Sequence, residues 1–168
     1  MTMSPRVRKA ALTTHVACSV GWLGAVAGSL TLAIAALVTD DEQTMRGMYL
    51  ALDVTGWFAL VPLSLASLVT GLAQGLGTKW GVFRYWWVVV KLVITVIAVV
   101  VLVMYTQTLG VLADAAREPS ATSGAAETLP SPSPVLHAAV ALLLLLVTTT
   151  LAVFKPPGIT GFGRRRPV

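Results

Sequence analysis

The sequence predicts an all-α fold, a four-helix transmembrane bundle with both termini in the cytoplasm. Two observations carry that reading. Four long apolar stretches divide the 168 residues, each able to cross the roughly 30 Å hydrocarbon core of a bilayer as a helix. The polar segments around them alternate in charge. Arg6, Arg8 and Lys9 precede the first stretch, and Asp40, Asp41 and Glu42 follow it. Lys79 and Arg84 follow the second, Asp114, Glu118 and Glu127 the third, and Lys155 with Arg164, Arg165 and Arg166 the fourth. Basic residues are retained on the cytoplasmic side of membranes, and every polar segment of the chain obeys that rule in turn.

Composition agrees. The chain is 56% hydrophobic and 11% charged, against about a quarter charged in soluble domains, which leaves room for a single transmembrane domain. The net charge of +5 points to anionic lipids rather than nucleic acid, because the bases cluster at helix ends. There a headgroup attracts each by about 1 kcal/mol. Arg46 and Arg117 are the only bases expected outside, and each sits among acids. Cys18, the only cysteine, excludes an intrachain disulfide and a cysteine-built metal site.

Span one is expected at about residues 12–38. Its uncharged run is too long for the roughly 7–15 residues of a signal-peptide core, so it is expected to stay as a helix. Gly24-x-x-x-Gly28 with Gly21 and Ala25 offers a groove for close helix approach. Span two, about 48–76, contains Asp53 and Pro62. The proline cannot donate to Phe58, which predicts a kink, and Ser64, Ser67 and Thr70 can satisfy freed backbone groups. Span three, about 85–112, is preceded by Trp80, Phe83, Tyr85, Trp86 and Trp87 in the pattern of an interfacial aromatic belt. An external disordered loop is expected over about 113–134. Span four, about 135–154, stops at Pro156-Pro157-Gly158, and a basic cytoplasmic tail occupies 155–168.

Few groups could carry chemistry. A charge in the hydrocarbon layer costs about 2.5–3.5 kcal/mol on insertion scales, and only Asp53 and Lys91 qualify, with His15 and His137 as ionisable companions. At 1.5 Å per residue, His15 and Lys91 both lie roughly 9–10 Å inside the cytoplasmic boundary. Asp53 and His137 lie towards the external side, where they could form a second pair. Asp53 heads a stripe with Trp57, Leu60, Ser64, Ser67 and Gly71 at alternating four- and three-residue steps, so this face is expected to point inward, with the Trp57 indole as a polar partner. The two histidines are some 15–20 Å apart along the membrane normal, which excludes joint haem ligation. His15 alone, or His137 with Met104, leaves haem b open. Gly75-Leu-Gly77-Thr-Lys79-Trp-Gly81 lacks the spacing and strand of a dinucleotide loop, and no Walker A, HExxH or nucleophile-elbow motif occurs.

His15 with Trp22-Leu-Gly24, and a third span reading Trp86-Trp87-x3-Lys91-Leu92, resembles a pattern in bacterial membrane proteins. It looks like the superfamily joining copper-resistance protein D to the haem-dependent membrane protoporphyrinogen oxidases, and within it small four-helix proteins. The resemblance covers about a third of the chain. It implies a bacterial plasma-membrane location, haem binding at His15, and Lys91 as a propionate or polar partner. The usual second glycine is Ala25 here, and Tyr105 and Gln107 stand near the place of a further third-helix histidine.

The expectation is therefore a small integral membrane protein of structural or accessory role, not an enzyme, with no metal and no resident cofactor. Its partners would be the bilayer, with a second copy or another membrane protein beside it. Two alternatives stand: a b-haem redox protein using His15, and a small proton-coupled exporter using Asp53.

Overall fold

The computed structural model describes residues 3–78, 81–118 and 129–164. Lys79, Trp80, Glu127, Arg165 and Arg166, each used in the sequence reading, lie outside the described residues, as does the centre of the external loop. Helix α1 spans Pro5–Val38, α2 Glu42–Thr55, α3 Val61–Gly77, α4 Trp86–Arg117, α5 Ser133–Phe154 and the single turn α6 Gly161–Arg164. A π-helical turn, Gly56–Leu60, joins α2 to α3, so the chain forms four helices long and apolar enough to cross a membrane.

Local chemistry sets the ends. Pro5 opens α1, where a missing N–H costs nothing. The Asp41 carboxylate caps α2 by accepting from Thr44 N at 2.9 Å. Lys155 ends α5 in the left-handed region, φ 44°, and Pro156 and Pro157 forbid resumption.

The helices pack as a ring. α1 lies against α2–α3 on one side and α5 on the other, and α4 closes the ring by touching α2, α3 and α5. Each helix turns one seam inward. On α1 the buried residues Trp22, Val26, Ser29, Ala33 and Ala36 recur at alternating four- and three-residue steps, the repeat that keeps one stripe facing its neighbours. His15 and Ser19 continue that stripe towards the N-terminus. Trp22, Val26, Leu60, Val99 and Leu145 form one core layer, and Ala33, Ala36, Tyr49, Leu52, Leu109 and Leu112 another. Outward, Val93, Val100, Leu136 and Leu143 are among many exposed apolar side chains. That pattern suits a helix bathed in lipid.

The first and last described segments lie at one end, since Met3 N donates to Gly77 O at 3.2 Å and Thr160 N to Arg84 O at 3.0 Å. This end carries Arg6, Arg8, Lys9, Arg84, Lys155 and Arg164; the other carries Asp40, Asp41, Glu42, Asp114 and Glu118.

Three sequence expectations change. The break at Pro62 takes the form of the π turn, in which Val61 N–H reaches back five residues to Gly56 O. That turn re-registers the stripe. The buried positions are Tyr49, Leu52, Gly56, Leu60, Ser64 and Ser67, so Asp53 only flanks the seam and Trp57 faces outward, 52% exposed. Three successive four-residue steps would carry an α-helical stripe forward by about 40° each, and the wider π turn absorbs much of that drift. Finally, the expected loop over 113–134 is ordered at both ends. Ala113 and Ala116 are buried in α4, and Leu129 joins the core.

Candidate functional site

Two polar clusters sit at opposite ends of the bundle, and they account for the ionisable residues singled out in the sequence. At the basic end, α1 and α3 are fastened by a ladder of side chains. The His15 Nδ1 lies 3.0 Å from Thr70 Oγ1, and Ser19 Oγ 2.8 Å from Ser67 Oγ. Gln74 Nε2 donates to Ala11 O at 3.1 Å. Each rung is about one turn from the next on both helices, because the inward stripe of α1 and the Ser67, Thr70, Gln74 face of α3 share a period. Gly71 makes the seat for the histidine: a Cβ there would stand 3.1 Å from His15 Cε1.

Lys91 on α4 belongs to the same end. Its ammonium sits 5.9 Å from the centre of the Trp87 ring, one turn nearer the basic end, so the long stem turns towards the interface. Cys18 is half-buried and free.

At the acidic end the chain is clasped by longer-range bonds. Tyr49, 1% exposed, donates its hydroxyl to Ser131 O at 3.2 Å and accepts from Ser131 N at 2.7 Å. Arg46 pairs with Glu42 at 2.8 Å and caps the end of α4, donating to Ala116 O at 3.0 Å, Ala115 O at 3.5 Å and Glu118 O. Ala115 and Ala116 belong to the last turn of α4 and Glu118 follows it, the place where a helix runs out of its own N–H donors. Asp53 meets Arg117 at 3.9 Å, and Arg117 also holds Asp114 at 2.5 Å.

His137 stacks on Tyr105, ring centres 3.8 Å apart and planes 15° from parallel. Its Nδ1 lies 2.9 Å from Ser133 O, while Tyr105 Oη lies 3.0 Å from Ser133 Oγ.

The structure therefore separates residues that the sequence reading paired. Asp53 and His137 share an end but no hydrogen bond or ion pair; Asp53 takes Arg117, and His137 takes Ser133 and Tyr105. Trp57 offers Asp53 nothing, because it faces outward. His15 and His137 stand at opposite ends, as helical rise requires. Met104 is on the outer surface of the bundle, 67% exposed, whereas His137 is half-buried against Tyr105.

Among the described residues no group of three or more His, Cys, Asp or Glu is placed to hold a metal ion. For a haem on His15, one feature fits: Thr70 holds Nδ1, which leaves Nε2 as the ligating nitrogen. No second axial histidine accompanies it. Gly24 and Gly28 face away from the bundle with no neighbour near a would-be Cβ, whereas Gly21 meets Leu63. The close helix approach inside this chain thus uses Gly21 and not the Gly24-x-x-x-Gly28 pair.

The sequence reading missed the Tyr49–Ser131 bonds, the Arg46 cap and the Ser19–Ser67 rung. The rung was recoverable, since Ser19 sits on the His15–Trp22 stripe and Ser67 on a serine–threonine face. Comparison with family models, characterised proteins and solved structures finds no match to this chain.

Proposed function

We propose that the chain is a non-catalytic, multi-pass protein of a bacterial plasma membrane, with its basic end and both termini in the cytoplasm, acting in a structural or accessory role. The α1–α3 ladder carries this reading. His15, Ser19, Ser67, Thr70 and Gln74 are the polar side chains that a substrate or cofactor would be expected to use, and each is bonded to the neighbouring helix. In lipid such bonds contribute about 0.6 kcal/mol each, enough to set helix register. Asp53, the residue an exporter would need, is engaged by Arg117 at the rim.

A b-haem redox protein is the second reading, favoured by the Thr70 contact to His15 Nδ1. A haem would supply one-electron chemistry there, held by His15, with Lys91 as the propionate partner that the family resemblance implies. The absorption spectrum of detergent-purified protein, expressed with ample haem supply, separates the two. A colourless protein is expected; a Soret band that shifts in His15→Ala would replace the structural reading.

A further inference from the structure

The segment after α5 folds back instead of trailing away. It runs antiparallel to the turn that precedes α4, with Trp86 N donating to Gly158 O at 3.2 Å and Thr160 N to Arg84 O at 3.0 Å. The buried Thr160 hydroxyl donates to the carbonyls of Phe83 and, at 3.2 Å, Arg84. Gly163 permits the final closure, because a Cβ there would stand 2.6 Å from Arg84 O and 3.0 Å from its Cγ.

This strap clamps Arg84. Its guanidinium carbon lies 5.9 Å from the Tyr85 ring centre, and its buried Nε has no hydrogen-bond partner among the described residues. A cation held this way is costly without an anion nearby. Among the described residues no acidic side chain is on offer: Asp40, Asp41, Glu42, Asp53, Asp114 and Glu118 all belong to the opposite end. Arg164, exposed at the end of the strap, adds a second cation. Around them Phe83, Trp86, Ile159 and Phe162 are exposed, the kind of side chain that settles at headgroup depth.

We propose that the strap and Arg84 form a docking site for the phosphate of an anionic phospholipid, with Phe83, Trp86 and Phe162 lodged at the headgroup–acyl boundary. The inference rests on the membrane reading above and adds a specific lipid-binding place to it. The full chain, released from micelles holding equal phosphatidylglycerol and phosphatidylcholine, is examined by native mass spectrometry. Phosphatidylglycerol is expected to be retained about fivefold over phosphatidylcholine, the ratio corresponding to about 1 kcal/mol for one basic group.

That preference should fall towards unity in Arg84→Gln and persist in Arg8→Gln. Equal retention by the unaltered chain, or an unchanged preference in Arg84→Gln, overturns the proposal. So does displacement of the lipid by inorganic phosphate, which would mean an anion site without a lipid. A photoactivatable phosphatidylglycerol gives a readout on the unaltered chain: crosslinks at 83–86 and 158–164 support the site, and crosslinks confined to 6–9 overturn it. Failure to enter vesicles at all would sink the membrane reading too, whereas entry without headgroup preference removes this inference alone.

Discussion

The two ends of the bundle treat charge in opposite ways. At the acidic end both bases find acids of the same chain: Arg46 meets Glu42, and Arg117 meets Asp114 and Asp53. Backbone carbonyls of α4 and the Tyr49–Ser131 bonds extend that network within the chain. At the basic end Arg6, Arg8 and Lys9 are exposed, and among the described residues no acidic side chain accompanies them. Polar bonding there joins α1 to α3 through neutral groups and a histidine. The contrast teaches that charge does two different jobs in this molecule. At one end it stabilises the fold, and at the other it faces the surroundings.

Arg46→Ala should break that contrast most severely. It removes the cap on α4 and leaves several carbonyls without their donor, for a cost of about 2–3 kcal/mol in reversible unfolding from detergent. Arg8→Ala, at the exposed basic end, should stay within about 0.5 kcal/mol. Equal losses from the two variants would mean the ends do not differ as described.

Asp53→Asn comes next, at no more than about 1 kcal/mol, because its partner Arg117 is half-exposed and also bonded to Asp114. The inward stripe expected from the sequence would bury Asp53 more deeply than this rim position. A loss in Asp53→Asn exceeding that of Arg46→Ala would contradict the rim placement.

The differing partners of Asp53 have a physical cause. Hydropathy and charge alternation are summed over some twenty residues, so the four spans and the segregation of acids from bases are legible without knowing any contact. Partner choice is not. Arg117 reaches Asp53 and Ser131 reaches Tyr49 across long stretches of chain, and no local pattern specifies either pairing. The π turn adds a second obstacle. Counting at 3.6 residues per turn places Trp57 inside, but the wider turn beginning at Gly56 puts it outside. The Thr160 strap was hidden for a third reason. A short polar and proline-rich tail looks solvated, and only the matching carbonyls of Phe83 and Arg84 reveal its dock.

A smaller effect sharpens the account of the basic end. The His15–Thr70 contact should show a coupling of about 0.6 kcal/mol in a double-mutant cycle of His15→Ala with Thr70→Val. A coupling near zero would mean the ladder is geometric only, and would weaken both readings that rest on the Thr70 contact to His15.

The smallest expected effect is a pH dependence at the acidic end. The hydrogen bond from Thr44 holds the Asp41 carboxyl below its ordinary value of 3.8. A depressed folded-state value means the contribution is present above the ordinary carboxylate range and is lost as pH falls through the lowered value. Thermal unfolding of wild type and Asp41→Ala should therefore differ at neutral pH and converge in strong acid. A gap that widens on acidification would contradict the capping role.

The account as a whole depends on which way the bundle sits. Single cysteines introduced into a Cys18→Ala background by Asp41→Cys, Thr78→Cys and Gly161→Cys can be probed with a membrane-impermeant maleimide in intact cells and in opened ones. The expected result is labelling at position 41 from outside, and at positions 78 and 161 only after the cytoplasm is opened. Positions 41 and 161 labelled from the same side would contradict the four-span arrangement and, with it, the assignment of the basic end to the cytoplasm.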